Sequence, residues 1–333
     1  AATFGAGIER LIYGRKIKRA QFDPAPLIIL GHWRSGTTFL HNLLVSDPRY
    51  SYCNTYQCFF PFHFLSSEWL LKPLTDWMLP QSRPMDNVAI GWDAPQEDEL
   101  PLCLMTMTSP YVMALRPDHL PTYGRFFNPD DMTPDERERL VGAMRNLFQK
   151  LAVRDARPLC LKSPGHTFRM RMLHELFPDA RYVYLYRDPW DVVRSSIHLR
   201  RTINSENSLA DRDQPNLEAE VLDVDEDCFR CYERDKELIP ADRLYEMRYE
   251  SLDADPLGEL ERMYAALNLG EYDRLRDRLQ PQMNEVKAFK KNRYASDPEQ
   301  QRRVYERLKF AYDRFGYPAP EIEPTEELQS MTT

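Results

Sequence analysis

A buried strand that leads directly into a glycine-flanked loop most restricts how this chain can fold. Leu27–Leu30 is wholly aliphatic, and the spacing Gly31-x-x-x-x-Gly36-Thr37-Thr38 follows it immediately. This spacing matches the phosphate-binding loop G-x-x-x-x-G-K-[ST], whose lysine reaches the terminal phosphates and whose last hydroxyl holds Mg²⁺. In this chain Thr37 stands where that lysine belongs. The sequence therefore predicts a loop that binds an anion without the usual lysine.

Other apolar segments predict that this strand belongs to a parallel sheet. Three more strands are predicted, at Pro158–Leu161, Arg181–Tyr186 and Leu244–Met247. Helical patterns occur at Thr37–Val45, Pro134–Leu151 and Phe168–Leu176. Strands that alternate with helices favour an α/β fold with a P-loop-type parallel β-sheet flanked by helices on both faces. A chain of 333 residues could form one large α/β domain or two small ones, and we expect one domain over residues 1–333.

Charge and cysteine content limit the classes of partner. The formal net charge is −8, so we expect no nucleic-acid binding, and any anion site must concentrate its basic residues locally. Cys228-x-x-Cys231 is the only closely spaced cysteine pair, and no second pair or nearby histidine completes a zinc site. We therefore expect the pair to be structural or incidental, with no metal. No signal peptide or bilayer-spanning apolar run is visible, and we expect a cytoplasmic protein.

Two further segments place basic residues at the ends of predicted strands. Lys162 follows one strand, with His166 four residues later, and Arg187 ends another. An Asp-Pro pair then begins a helix, which places Ser195 about two turns into it. In an open parallel sheet, ligands bind beyond the carboxyl ends of the strands. We therefore expect the glycine loop, an ammonium group and a guanidinium group to face one crevice.

Together these motifs resemble those of the sulfotransferases that use 3′-phosphoadenosine 5′-phosphosulfate (PAPS). The stretch "WRSGTT" is similar to their 5′-phosphosulfate loop, in the form with arginine found in the bacterial branch. Arg187 and Ser195, eight residues apart, match their 3′-phosphate element, and "RYESLDADP" matches a third motif. The resemblance runs from about residue 27 to residue 320. It implies transfer of a sulfuryl group from PAPS to a hydroxyl acceptor, which leaves adenosine 3′,5′-bisphosphate.

The resemblance also implies which residues bind the donor. They are Arg34, Ser35, Gly36, Thr37, Thr38, Arg187, Ser195, Tyr249, Lys291 and Arg293. Ser196 is a rival for Ser195, and only the eight-residue offset favours the latter. Tyr249 would contact the adenine. Lys291 and Arg293, in "FKKNRY", correspond to a late basic loop over the 3′-phosphate, although the family form of that loop is Arg-Lys-Gly.

The residues themselves agree with such a donor. Loop amides and the N-terminus of the following helix favour an anion, and Arg34 can bind a phosphosulfate in bidentate fashion. A second basic clamp, Arg187 with Ser195, suits a ligand with a second phosphate, which PAPS has at its 3′ position and ATP lacks. Because a sulfuryl group carries less negative charge than a terminal phosphoryl group, we expect no metal ion.

For catalysis, the resemblance implies that Lys162 neutralises charge on the bridging oxygen of the donor. The identity of the base that takes the proton of the acceptor stays open. His166 has a suitable unperturbed pKa, but the small-molecule branch of the family places its histidine two residues after the lysine, not four. The acidic run "APQEDEL" offers Glu97 or Glu99, since other branches use a glutamate. The same run reads equally well as a solvated helix start.

The acceptor is predicted only by its class. The stretch "CFFPFHFLSSEWLLKPLTDWMLP" is rich in aromatic and aliphatic residues and lies in a helical acceptor-side region over about residues 55–150. It could line an apolar acceptor pocket, form a helical cap over the sheet, or do both. We therefore favour a lipophilic alcohol or phenol. Peripheral membrane contact and a homo-oligomer are both compatible with such an acceptor. The acid-rich residues 211–227 predict a solvated lid or loop.

Two other functions would share some of these features. A P-loop small-molecule kinase would have the same fold and anion crevice, but it would need the lysine that Thr37 replaces and a Mg²⁺ site. A non-catalytic nucleotide-binding protein would keep the arginines without needing Lys162. Sulfuryl transfer is the hypothesis that uses all of the motifs.

Overall fold

A computed structural model describes residues 2–79, 91–116, 120–207, 209, 216–283 and 297–320. Its sheet has four strands, β1 (Leu27–Leu30), β2 (Cys160–Lys162), β3 (Arg181–Tyr186) and β4 (Leu244–Arg248). The strands are all parallel and lie in the order β2-β1-β3-β4. The predicted parallel sheet is confirmed, with β2 beginning two residues later than expected.

Fourteen α-helices accompany this sheet in the described part of the chain. The first seven are α1 (Ala2–Arg19), α2 (Thr37–Leu44), α3 (Thr55–Phe59), α4 (Phe64–Thr75), α5 (Glu99–Thr106), α6 (Leu120–Tyr123) and α7 (Pro134–Arg154). The others are α8 (Met170–Leu176), α9 (Pro189–Asn207), α10 (Leu217–Asp235), α11 (Tyr249–Ala254), α12 (Pro256–Ala266), α13 (Tyr272–Leu279) and α14 (Pro298–Phe315).

Alternating side chains of β1 pack against helices on opposite faces of the sheet. Ile28 and Leu30 belong to a buried cluster that includes apolar residues of α1, α7, α8 and α10. Leu27 and Ile29 belong to a second cluster, with apolar residues of α2, α12 and α13. A strand that is buried on both faces reads as a continuous aliphatic run, which explains the sequence of β1. Helices therefore cover both faces, as predicted.

Local capping explains where the long helix α7 begins. The Thr133 side chain accepts a hydrogen bond from the main-chain N–H of Glu136, and the Glu136 carboxylate accepts one from the N–H of Thr133. Pro134 occupies the first helical position, where its missing N–H is no loss. The predicted start of this helix is confirmed, and the helix continues three residues past the predicted end.

The prediction of a solvated lid or loop over residues 211–227 is wrong for its second part. Residues 217–227 lie in α10, and residues 211–215 lie outside the described residues. Leu217, Val221 and Cys228 recur at helical spacing and are buried. This apolar stripe outweighs the acidic residues between them, which occupy the other faces of the helix.

No helix among the described residues is long and apolar enough to cross a lipid bilayer.

Candidate active site

The glycine loop, residues 31–38, turns sharply between β1 and α2. Gly31 has a φ of +139° and Gly36 a φ of +102°, which glycine adopts without strain. A Cβ atom on Gly31 would collide with the carbonyl oxygen of Leu185 in β3, and one on Gly36 would collide with the ring of Tyr249. Both glycines are therefore required where they stand. The turn leads straight into the N-terminus of α2, which favours an anion.

Residues predicted to bind the two ends of the donor meet beside this loop. The Arg34 Nε donates to Ser195 Oγ at 2.8 Å, and Arg187 Nη1 donates to the carbonyl oxygen of Arg34 at 3.3 Å. The Arg187 guanidinium lies 4.5 Å from the centre of the Tyr249 ring. Arg34 itself has a φ of +70°, an uncommon conformation for a residue with a side chain. The four residues form one basic and aromatic cluster.

Two donor groups, one on Arg187 and one on α9, are buried without a hydrogen-bond partner among the described residues. They are the Nε of Arg187 and the hydroxyl of Ser196. Arg187 uses another nitrogen, Nη2, to pair with Asp191 at 2.9 Å. Unpaired buried donors cost free energy unless a ligand or water satisfies them, so this pocket suits an anion. Ser195 contacts Arg34, while the rival Ser196 carries the unpaired hydroxyl.

The ammonium group of Lys162 lies at the end of β2, between the glycine loop and the acidic run. Its Nζ is 2.8 Å from Glu97 Oε1 and 3.4 Å from Thr38 Oγ1. Lys162 is buried, whereas the Glu97 side chain keeps 16% of its surface exposed. The backbone next to Glu97 is held by a hydrogen bond, because the main-chain N–H of Gln96 donates to the carbonyl of Cys53 at 2.9 Å. The Lys162 ammonium thus contacts both the Thr38 hydroxyl and the Glu97 carboxylate.

Tyr111 is a site residue that the sequence did not reveal. Its hydroxyl donates to Glu97 Oε2 and accepts a hydrogen bond of 3.1 Å from Trp33 Nε1 in the glycine loop. Burial and the neighbouring Glu97 carboxylate raise the pKa of Tyr111 well above its usual value, so the hydroxyl stays a donor. No motif spacing marks this tyrosine, which lies in a 3₁₀ turn between α5 and α6.

The whole acidic run is paired with the segment that follows β2. Three successive acids meet three bases, in the pairs Glu97–Lys162, Asp98–His166 and Glu99–Arg169, at 2.8, 2.8 and 2.6 Å. Lys162 is the last residue of β2, and the other two bases belong to the 3₁₀ turn Pro164–Arg169. Asp98 and Glu99 are buried, so the solvated helix start is wrong, although α5 does begin at Glu99.

His166 and Asp98 form a closed pair away from solvent. The His166 side chain is fully buried, its Nε2 faces the Asp98 carboxylate, and its Nδ1 is buried without a partner among the described residues. Burial alone would raise the pKa of Asp98, but the charge and hydrogen bond of His166 lower it below its usual value. The neighbouring His41 is held neutral because burial and the charge of Lys162 lower its pKa to about 3.

Other predicted residues take structural positions. Ser35 Oγ donates to the carbonyl of His32 at 2.8 Å and so closes the glycine loop. Cys228 and Cys231 pack in an apolar cluster with Phe127 and Phe168. The predicted basic loop with Lys291 and Arg293 lies outside the described residues.

The buried Glu99–Arg169 pair predicts a large effect on stability. In Glu99→Gln the Arg169 guanidinium would stay buried without its counter-charge, so we expect the free energy of unfolding to fall by about 3–5 kcal/mol. Urea unfolding followed by circular dichroism measures this loss. Glu271→Gln, which breaks an exposed pair with Arg274, is the control and should leave the curve unchanged. Equal unfolding midpoints for Glu99→Gln and the wild type would contradict the assignment.

The Asp98–His166 pair predicts a particular dependence of stability on pH. Because the pKa of Asp98 is lowered in the folded state, its carboxylate stabilises the protein above the ordinary aspartate pKa of about 4. That stabilisation is lost as the pH falls through the lower, folded-state pKa. Asp98→Asn should therefore be less stable at pH 7 and lose less stability on acidification. Urea unfolding of both proteins, measured from pH 7 down to acidic pH, tests this prediction. The exposed Asp277→Asn should follow the wild type.

Comparison with known proteins identifies relatives over nearly the whole chain. The model of the sulfotransferase family matches residues 26–274. The omega-hydroxy-beta-dihydromenaquinone-9 sulfotransferase Stf3 of Mycobacterium bovis is 33% identical over 316 residues, which cover 95% of this chain and 81% of that protein. Stf3 of Mycobacterium tuberculosis matches to the same extent.

Solved structures share the fold at lower sequence identity. The sulfotransferase STF9 from Mycobacterium avium has a TM-score of 0.72 and 21% identity, over 97% of this chain and 84% of that one. The sulfotransferase STF1 from Mycobacterium tuberculosis has a TM-score of 0.67 and 18% identity, over 92% and 82% of the two chains. These similarities support the arrangement of sheet and helices described above.

Proposed function

The chain belongs to the sulfotransferase family, and from that premise we propose that it transfers a sulfuryl group from PAPS to the hydroxyl group of a lipophilic alcohol or phenol. The resemblance found in the sequence is thereby confirmed at the level of the family. The donor, the acceptor class and the roles of individual residues are our proposal.

One observation carries this proposal further than family membership does. The Lys162 ammonium lies between Thr38 of the glycine loop and the Glu97 carboxylate. A sulfuryl transfer needs a cation beside the leaving oxygen and a base beside the attacking hydroxyl, close to each other. Lys162 and Glu97 supply both, next to a loop suited to an anion.

The basic cluster fits a donor with two separate anionic groups. We propose that the loop amides and Arg34 bind the 5′-phosphosulfate, while Arg187 and Ser195, for which Ser196 is the rival, bind the 3′-phosphate. The unpaired Arg187 Nε supports this assignment, since a phosphate oxygen would satisfy it. Tyr249, stacked beneath Arg187, would line the adenine side. Lys291 and Arg293 keep their proposed role over the 3′-phosphate, on the basis of the resemblance alone.

The chain then needs to move one proton and stabilise one charge. PAPS supplies a sulfuryl group on a phosphate leaving group. We propose that Glu97 accepts the proton of the acceptor hydroxyl as that oxygen forms its bond to sulfur. Lys162 neutralises the charge that grows on the phosphate oxygen as its bond to sulfur breaks. Tyr111, through its hydrogen bond, keeps the Glu97 carboxylate pointed at this position.

Glu97 is a better candidate for the base than the other groups predicted from the sequence. Of the three, it alone retains partly exposed side-chain surface. His166 is enclosed with Asp98, and Glu99 is enclosed with Arg169. We therefore propose that His166 positions the segment after Lys162 rather than accepting the proton.

The acceptor is proposed from a relative and from surface composition. The related Stf3 proteins are named for a hydroxylated menaquinone, a lipophilic alcohol. The acceptor-side region of this chain also exposes large apolar side chains, including Phe59, Phe62 and Trp69.

Because the described cysteines are all free thiols, we propose a reducing, cytoplasmic location.

The donor assignment predicts selective binding of a nucleotide. Adenosine 3′,5′-bisphosphate should raise the melting temperature without added metal, whereas ATP with Mg²⁺ should not, because only the former carries a 3′-phosphate. Arg187→Ala should weaken bisphosphate binding by about 2–3 kcal/mol, the scale of a charge-assisted contact. A thermal-shift assay measures the melting temperatures, and isothermal titration calorimetry measures the dissociation constants.

A matched variant separates the loss of this contact from a general loss of positive charge. Arg276→Ala removes an exposed guanidinium on α13 and should bind the bisphosphate like the wild type. Strong stabilisation by ATP with Mg²⁺, together with none by the bisphosphate, would contradict sulfuryl transfer and favour a kinase. An unchanged dissociation constant for Arg187→Ala would remove Arg187 from the site.

The assignment of the base predicts which variant loses turnover. Glu97→Gln should lower kcat by about 10²–10⁴-fold with bisphosphate affinity unchanged, because the amide cannot take the proton. His166→Gln should lower stability, yet its folded fraction should keep most of the wild-type kcat. A steady-state assay with a long-chain alcohol or a phenol, with kcat corrected for the folded fraction, makes the comparison. The reverse order of losses would give the base to His166.

A further inference from the structure

Helix α4 presents large apolar side chains to solvent. Trp69, Leu70 and Leu74 are exposed on the helix, and Trp77 is exposed in the turn after it. Trp69 is 74% exposed and Trp77 is 82% exposed. Each indole N–H donates to a carbonyl three residues earlier at 3.0 Å, so the polar atom of each ring is already satisfied. Aromatic rings exposed in this way mark a surface that meets an apolar partner.

Helix α1 packs beside the start of α4 and exposes a second apolar row. Its inner side is anchored by Glu9, which accepts a 2.8 Å hydrogen bond from the main-chain N–H of Leu65 in α4 and pairs with Lys150. Its outer side carries four exposed apolar residues, Phe4, Ile8, Leu11 and Ile12. They recur at the spacing of one helical stripe, and Leu11 is 88% exposed.

The same helix carries an unusual concentration of positive charge. Five basic residues of α1 are exposed, namely Arg10, Arg15, Lys16, Lys18 and Arg19. Glu9, its single acidic residue, is buried and already paired. None of the five bases forms an ion pair with a carboxylate in the part of the chain that the structure describes. The formal net charge of the chain is −8, so this helix is positively charged on a molecule that is negatively charged as a whole.

We propose that α1 and the exposed face of α4 bind the surface of a membrane that contains anionic lipids. The apolar stripe of α1 and the two tryptophans would enter the boundary between headgroups and acyl chains, where indole rings are favoured. The five bases of α1 would meet the negative headgroups. No step of this interaction requires the donor or the acceptor.

Charge selects this occupant over a second copy of the chain. In a symmetric dimer formed through this patch, the same cationic surface would be presented by both copies. Bringing two sets of unpaired bases together costs free energy, whereas an anionic bilayer neutralises them. An uncharged apolar partner would bury the tryptophans but leave the bases of α1 without counter-charges.

Vesicle binding by the purified chain tests the proposal. We expect flotation with vesicles of phosphatidylcholine and phosphatidylglycerol, little binding to phosphatidylcholine alone, and weaker binding in high salt. Lys16→Gln/Lys18→Gln should weaken binding about 10- to 50-fold, since each base near the surface contributes. Trp69→Ser/Trp77→Ser should weaken it about tenfold or more. The single variant Trp77→Ser provides the same test if the double variant does not fold.

Matched variants elsewhere on the surface give the controls. Arg274→Gln/Arg276→Gln changes the net charge equally but lies on α13, and Leu238→Ser removes an exposed leucine from another surface. Both should bind vesicles like the wild type. Equal effects of the α1 variant and the α13 variant would overturn the proposal, as would the absence of binding to anionic vesicles. A dimer in sedimentation that the tryptophan variants abolish would overturn it in favour of a second copy.

Discussion

Three ion pairs join consecutive acids to the last residue of β2 and to the 3₁₀ turn after it, and they determine how the acceptor side meets the sheet. They are Glu97–Lys162, Asp98–His166 and Glu99–Arg169. Moving such charges out of water costs several kcal/mol for each ion, which mutual attraction offsets only in good geometry. A shift of one residue along the acidic run would leave buried charges unpaired. We infer that the pairs fix the register of the contact more than they add stability, and so fix the distance from the glycine loop to Glu97.

Solvent access changes along this row of pairs, and the chemistry available to each pair changes with it. The acidic side chains are 0% exposed at Glu99, 1% at Asp98 and 16% at Glu97. An enclosed carboxylate can only hold its partner, while one that reaches the crevice can exchange a proton with a ligand. The two buried pairs, Asp98–His166 and Glu99–Arg169, therefore hold the Glu97–Lys162 pair in position. Surrounding contacts of this kind make the geometry of a site precise.

The sequence was a good guide where the chemistry is local and a poor one where it depends on packing. The loop, the strands and the approach of Arg34 to Ser195 follow from glycine spacing and from the rule that ligands bind at strand ends. Tyr111 could not be predicted, because its contact with Glu97 forms only when the 3₁₀ turn Pro110–Ala114 packs against the segment before α5. The enclosure of His166 is likewise a tertiary effect. In α10 the acids predict a solvated segment, whereas the buried apolar residues at helical spacing decide that it packs as a helix.

The proposed anion site has a further consequence, because its cations already have partners within the protein. Lys162 is paired with Glu97, Arg187 with Asp191, and Arg34 with the Ser195 hydroxyl. Binding a donor would thus exchange one set of partners for another, with the side chains already close to the geometry they need. Preorganised groups lose less conformational freedom on binding, which favours affinity. Asp191 would then compete with the 3′-phosphate for Arg187. The same acid would also keep that guanidinium compensated when no nucleotide is bound, which is how a chain with a net charge of −8 can maintain a basic crevice.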